Sequence, residues 1–185
     1  MLQAARVDTV LVRSAAMNKD VKVVYVLPDK AIGKQACPVV YLLHGYGGNA
    51  RSWVQLKPEL PQMADEKGII FVCPDGKNSW YWDSPENPAY RYETFVTSEL
   101  VKYTDGNYAT IPDRKARAIS GLSMGGHGAL WSAIRHKDVF GAAGSMSGRS
   151  GYTAVPPELG NEQAVGRVCC QQGILGCAYG GQPAG

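Results

Sequence analysis

The chain has 185 residues, 45% of them hydrophobic and 19% charged, with a net charge of only +3, which fits one globular domain able to bury a sizeable core. That balance is too even for a nucleic-acid surface, and no stretch approaches the roughly 20 apolar residues of a membrane helix. Five cysteines, an odd number, argue against a disulfide framework.

Met1 to Ala5 carries neither a basic n-region nor an apolar h-region. The chain therefore reads as soluble, and this start fits a cytoplasmic protein or a secreted or periplasmic one whose signal peptide has been removed. Ala5 to Arg13 and Val21 to Leu27 read as strands joined by the polar turn Asn18-Lys19-Asp20, an antiparallel hairpin. Val39 to Leu43 is a continuous apolar run closed by His44-Gly45-Tyr46-Gly47-Gly48-Asn49. Such a run marks a strand buried on both faces of a parallel sheet. A loop and helix lead to Lys67, a second apolar strand runs from Ile69 to Cys73, and a long loop reaches Pro88. Cys37 and Cys73 lie beside prolines in apolar contexts that suit small buried thiols.

Tyr92, Phe95, Val96 and Leu100 follow at i, i+3, i+4 and i+8, so one helical face docks on the sheet while Arg91, Glu93 and Lys102 point outward. Ala116 to Ser120 supplies a short strand that runs into Gly121-Leu122-Ser123-Met124-Gly125 and then into a helix ending near His136. Strand, glycine-flanked serine and helix together form the pattern of a nucleophile elbow, which lifts a serine hydroxyl above the end of a sheet. The flanking glycines leave room for the strained turn. Strands alternating with helices imply right-handed crossovers and ligands bound beyond the carboxyl ends of the strands. Ser123 and the loop at His44 both fall at such ends. Ser123 is the candidate nucleophile, and the backbone N–H groups of Tyr46 and Met124 are the candidate oxyanion donors.

The motifs His44-Gly45-Tyr46-Gly47-Gly48-Asn49, Ser79-Trp80-Tyr81-Trp82-Asp83-Ser84-Pro85, Tyr92-Glu93-Thr94-Phe95 and Ser120-Gly121-Leu122-Ser123-Met124-Gly125-Gly126 resemble the esterase D family of α/β-hydrolases. That family includes S-formylglutathione hydrolases, small-ester carboxylesterases, feruloyl and acetylxylan esterases, and mycolyltransferases. The resemblance spans Ala5 to Gly148 and implies an α/β sandwich: a mostly parallel central sheet, an antiparallel N-terminal hairpin, and the last strands missing. It implies a serine esterase for small acyl or hydroxycinnamoyl esters, including those on plant polysaccharides, without metal or cofactor. S-formylglutathione hydrolysis is the alternative, weakened because that activity usually accompanies a different loop from His44-Gly45-Tyr46-Gly47-Gly48. His44, Gly45, Trp80, Tyr81 and Trp82 are the expected pocket residues, although the three aromatics also read as plain core.

A serine needs a base, and the chain has only three histidines. His44 belongs to the oxyanion-loop motif. His127 lies on the first turn after the elbow, where the family carries a histidine without a base role. His136 reads as a charge partner for the helix dipole. The resemblance implies that acid and base lie on loops well past the point where the likeness stops. A non-catalytic fragment or pseudoenzyme is therefore the reading from another class.

Residues 149 to 185 form a separate glycine- and cysteine-rich tail. Residues 151 to 185 hold eight glycines, three cysteines and three charges, with no helical or strand period. No histidine lies near Cys169, Cys170 and Cys177, so metal is not expected there. Back-translated and read from the second base of each codon, the tail permits a charged, tryptophan-containing string, which points to a reading-frame slip near Gly148. Phe140 to Ser147 would then be an unpaired outer strand, and self-association into a homo-oligomer is expected from such an edge.

Overall fold

The computed structural model describes residues 5–148. The glycine- and cysteine-rich tail, with Cys169, Cys170 and Cys177, lies outside the described residues.

Strands β1 (Arg6–Ser14) and β2 (Lys19–Leu27) form the expected hairpin, in register from Arg6 opposite Leu27 to Ser14 opposite Lys19. The turn between them closes through Asn18, whose φ of 50° is one that asparagine tolerates better than most residues. Strands β3 (Val39–Leu43), β4 (Ile70–Pro74), β5 (Arg117–Gly121) and β6 (Ala142–Ala143) complete a six-stranded sheet in the order β1-β2-β4-β3-β5-β6. Pairings from β4 through β6 are parallel, whereas β2 meets β4 antiparallel. Every residue of β3, β4 and β5 is buried, as strands covered on both faces require.

Alternate residues of each strand feed opposite layers. Val24, Val26, Val40, Leu42 and Phe71 pack with Trp53, Leu60 and Ala64. These last three belong to α2 (Ser52–Leu56) and α3 (Leu60–Lys67). Thus the single helix expected before Lys67 is two short ones, preceded by the single turn α1 (Asp29–Ile32). On the other face Tyr25, Tyr41, Leu43 and Val72 pack with Phe95, Leu100, Met124 and Ala129. These come from a continuous helical segment and from α6 (Met124–Arg135). The segment comprises α4 (Tyr92–Thr94), a π-helical stretch Phe95–Glu99 and α5 (Leu100–Asn107). Two apolar faces per strand thus yield a three-layer α/β/α sandwich.

Two further expectations change. Phe140 to Ser147 is not one strand: β6 holds two residues, Met146 adds an isolated bridge to Leu122, and Phe140 is core. Glu93 does not point outward. Its carboxylate is buried against α6, because the helical segment has a helix at its side as well as a sheet beneath it.

Candidate active site

Strand β5 ends at Gly121, and Ser123 turns the chain with φ 52° and ψ −113° before α6 begins at Met124. A serine in this region carries strain of about 1–3 kcal/mol and stays there only where its neighbours impose it. Here they do. A β-carbon on Gly121 would lie 2.3 Å from the Gly125 carbonyl, and one on Gly125 would lie 2.2 Å from Leu43 O. The Ser123 N–H donates to Met146 O at 2.8 Å, and the Leu122 N–H to Leu43 O at 3.1 Å. Ser123 is exposed and its side chain does not cap the helix it precedes.

The loop after β3 lies against this corner. A β-carbon on Gly45 would stand 3.7 Å from that of Ser123. Tyr46, in this loop, is 66% exposed. The turn closes with Gly48 N–H donating to Gly45 O at 3.0 Å. Met124 N–H belongs to the first turn of α6, where amides have no intrahelical acceptor and the dipole favours negative charge. The His44 ring, 1% exposed, is used by the backbone. Gly76 N–H donates to Nε2 at 2.9 Å, which leaves Nδ1 as the donor to Gly45 O at 2.7 Å. The ring is thus a spacer under the loop.

The aromatic loop divides. Trp80 and Tyr81 both have positive φ, 57° and 60°, which breaks the usual alternation of side chains. Tyr81 is driven fully into the core, while Trp80 and Trp82 stay more than a third exposed. Both tryptophan rings contact His127, at 5.6 and 5.4 Å between centroids. His127 follows Ser123 by one helical turn and its N–H donates to Ser123 O at 3.0 Å.

Trp131 and Arg135, which the sequence did not single out, lie further along α6. Glu93 accepts from Trp131 Nε1 at 2.8 Å and Arg135 Nε at 2.7 Å, and pairs with His136 Nε2 at 2.9 Å. Burial pushes its carboxyl up, but the bonds from Trp131, Arg135 and His136 outweigh this and hold it below the usual range. His136 is thus a partner of Glu93 at the C-cap rather than of the dipole alone. The helix it caps has 12 residues, so it stands about 18 Å along the axis from Ser123, too far to serve as its base. A cleft of about 780 Å³ runs beside this cluster, between α6 and the helical segment. Among the described residues no three His, Cys, Asp or Glu side chains cluster as a metal site would need.

The family model for esterases matches residues 14–165, running past Gly148. An acetyl esterase from Caldicellulosiruptor saccharolyticus is 28% identical over 135 residues, covering 69% of this chain and 50% of that protein. Among solved structures, a ferulic acid esterase superposes with a TM-score of 0.65 at 30% identity, covering 76% of this chain and 59% of the other. An S-formylglutathione hydrolase from Agrobacterium tumefaciens gives a TM-score of 0.68 at 26% identity, covering 77% and 57%. The chain spans half the length of that acetyl esterase.

Proposed function

Because this chain belongs to the esterase family, we propose that it carries the nucleophile and oxyanion hole of a serine carboxylesterase. The observation that carries the reading is the strained elbow: Ser123 in a positive-φ corner, wedged by Gly121 and Gly125, exposed, and beside Gly45.

In this reading Ser123 Oγ attacks the ester carbonyl carbon and gives its proton to a histidine that is not among this chain's three, all of which lie within the described residues. The carbonyl oxygen becomes an oxyanion held by the N–H groups of Tyr46 and Met124. Removing one such donor costs about 10²–10³ in turnover. The C–O bond to the alcohol then breaks as the histidine returns the proton to the leaving oxygen, and water releases the acid from the acyl-enzyme.

Trp80 and Trp82, exposed at the rim, favour small acyl or hydroxycinnamoyl esters, including those on plant polysaccharides. The ferulic acid esterase supports that choice; the S-formylglutathione hydrolase keeps the thioester as the alternative. The reading from another class, a non-catalytic fragment, has its own support: among the three histidines, His44 is engaged by backbone and His136 by Glu93. His127 is packed among tryptophans.

Rates on p-nitrophenyl acetate, methyl ferulate and S-formylglutathione, measured for a full-length protein, in which a C-terminal segment carrying the family's acid and histidine follows residue 148, and for its Ser123→Ala variant, test the proposal. Hydrolysis lost in the variant is the expected result. Rates equal to the uncatalysed background in both proteins overturn it.

A further inference from the structure

The loop after β4 grips the loop after β3 at three points. His44 N–H donates to Tyr81 Oη at 3.0 Å, and Gly47 N–H donates to Asn78 Oδ1 at 2.8 Å. Gly76 N–H holds the His44 ring. The first two bonds fall on either side of Gly45 and Tyr46, so the peptide of Tyr46 is fixed from both ends. The Tyr81 hydroxyl also reaches His44 O at 3.3 Å, closing a two-way clasp on that residue's backbone.

The Tyr81 ring is locked as firmly as its hydroxyl. It fills a slot between two glycines: a β-carbon on Gly76 would stand 2.3 Å from the ring, and one on Gly128 would stand 2.6 Å from it. Gly128 lies in α6. One side chain therefore touches the helix that carries Ser123 through its ring and the oxyanion loop through its oxygen. Its backbone is held at φ 60°, beside Trp80 at 57°. Two successive non-glycine residues in the left-handed region are uncommon, and they persist where the surroundings impose them.

From this geometry we infer that Tyr81 is a positioning residue for the oxyanion hole, with Asn78 as a second brace. The inference rests on the proposed role of the Tyr46 N–H. Oxyanion donors act because they are fixed before charge develops, and Tyr81 fixes this one relative to the nucleophile's helix. Its hydroxyl touches no reacting atom.

Tyr81→Phe keeps the ring in its slot and removes only the oxygen. In the full-length protein the expected result is a fall in kcat on p-nitrophenyl acetate of about 10- to 100-fold, as for a displaced catalytic group. KM should stay unchanged, and affinity for a trifluoromethyl ketone, which becomes an oxyanion mimic on Ser123, should fall by the same factor as kcat. Asn78→Ala should move the same quantities less. Amide hydrogen exchange at residues 44–47 should quicken in both variants, a readout that needs no turnover. A lowered melting temperature with kcat unchanged overturns the inference, and so does unchanged exchange. If Ser123→Ala leaves hydrolysis intact the esterase reading fails, while exchange still decides whether the brace exists.

Discussion

Gly121 and Gly125 touch across the elbow so closely that a β-carbon on the first would lie 2.3 Å from the carbonyl carbon and oxygen of the second. Both obstacles are backbone, so neither can swing aside. Gly121→Ala should therefore destabilise the fold by about 1–3 kcal/mol or more through overpacking, and should displace Ser123. Thermal melts read the first effect and turnover of the full-length protein reads the second. An alanine variant that melts and turns over like the parent would refute the steric account.

The aromatic loop should split by burial. Tyr81→Ala empties a slot in the core and should cost about 3–5 kcal/mol. Trp80→Ala, at a side chain 37% exposed, should cost about 0.5 kcal/mol and act instead on KM for aryl esters. Urea midpoints and KM values distinguish the two, and equal losses of stability would contradict the division.

Glu93 makes stability depend on acid. Its folded-state pKa lies below the usual value because Trp131, Arg135 and His136 outweigh its burial. The stabilisation is therefore complete above the unfolded value of about 4.3 and is lost as pH falls through the folded one. Glu93→Gln should cost about 1–3 kcal/mol at pH 7, and the gap from the parent should shrink below pH 4. A gap that stays constant from pH 7 to pH 3 would rule out the charged role. Denaturant titrations at several pH values provide the measurement.

Cys73 is sealed within β4, and burial pushes its thiol far above the usual range; Cys37 is shifted upward for the same reason. Thiolate is the reactive form. A brief iodoacetamide pulse at pH 8, followed by peptide mapping, should leave both unmodified in the folded chain and label them in urea. Labelling of Cys73 without denaturant would mean that β4 opens.

The elbow was legible in the sequence because two glycines and an apolar strand leave few other uses for that serine, and the same clarity held for β3 and β4. Sorting Trp80, Tyr81 and Trp82 was not possible, since period-two reasoning assumes negative φ and two of the three break that assumption. Glu93 was misassigned as outward because a stripe through Tyr92, Phe95, Val96 and Leu100 identifies the sheet-facing side only. A neighbouring helix covers a second side, and its Trp131 and Arg135 lie too far along the chain for local spacing to reveal. Asn78 was missed for a related reason: its work is to hold backbone of a loop 31 residues away.

Helix α6 is fastened at both ends, at Gly125 against the end of β3 and at Arg135 and His136 through Glu93. A rod pinned at one end only could pivot and let a cramped corner unwind. Clamped at two, it has no swing left, so the torsion at Ser123 has nowhere to dissipate. Loosening the far clamp, a full helix length from the hydroxyl, should slacken the corner itself.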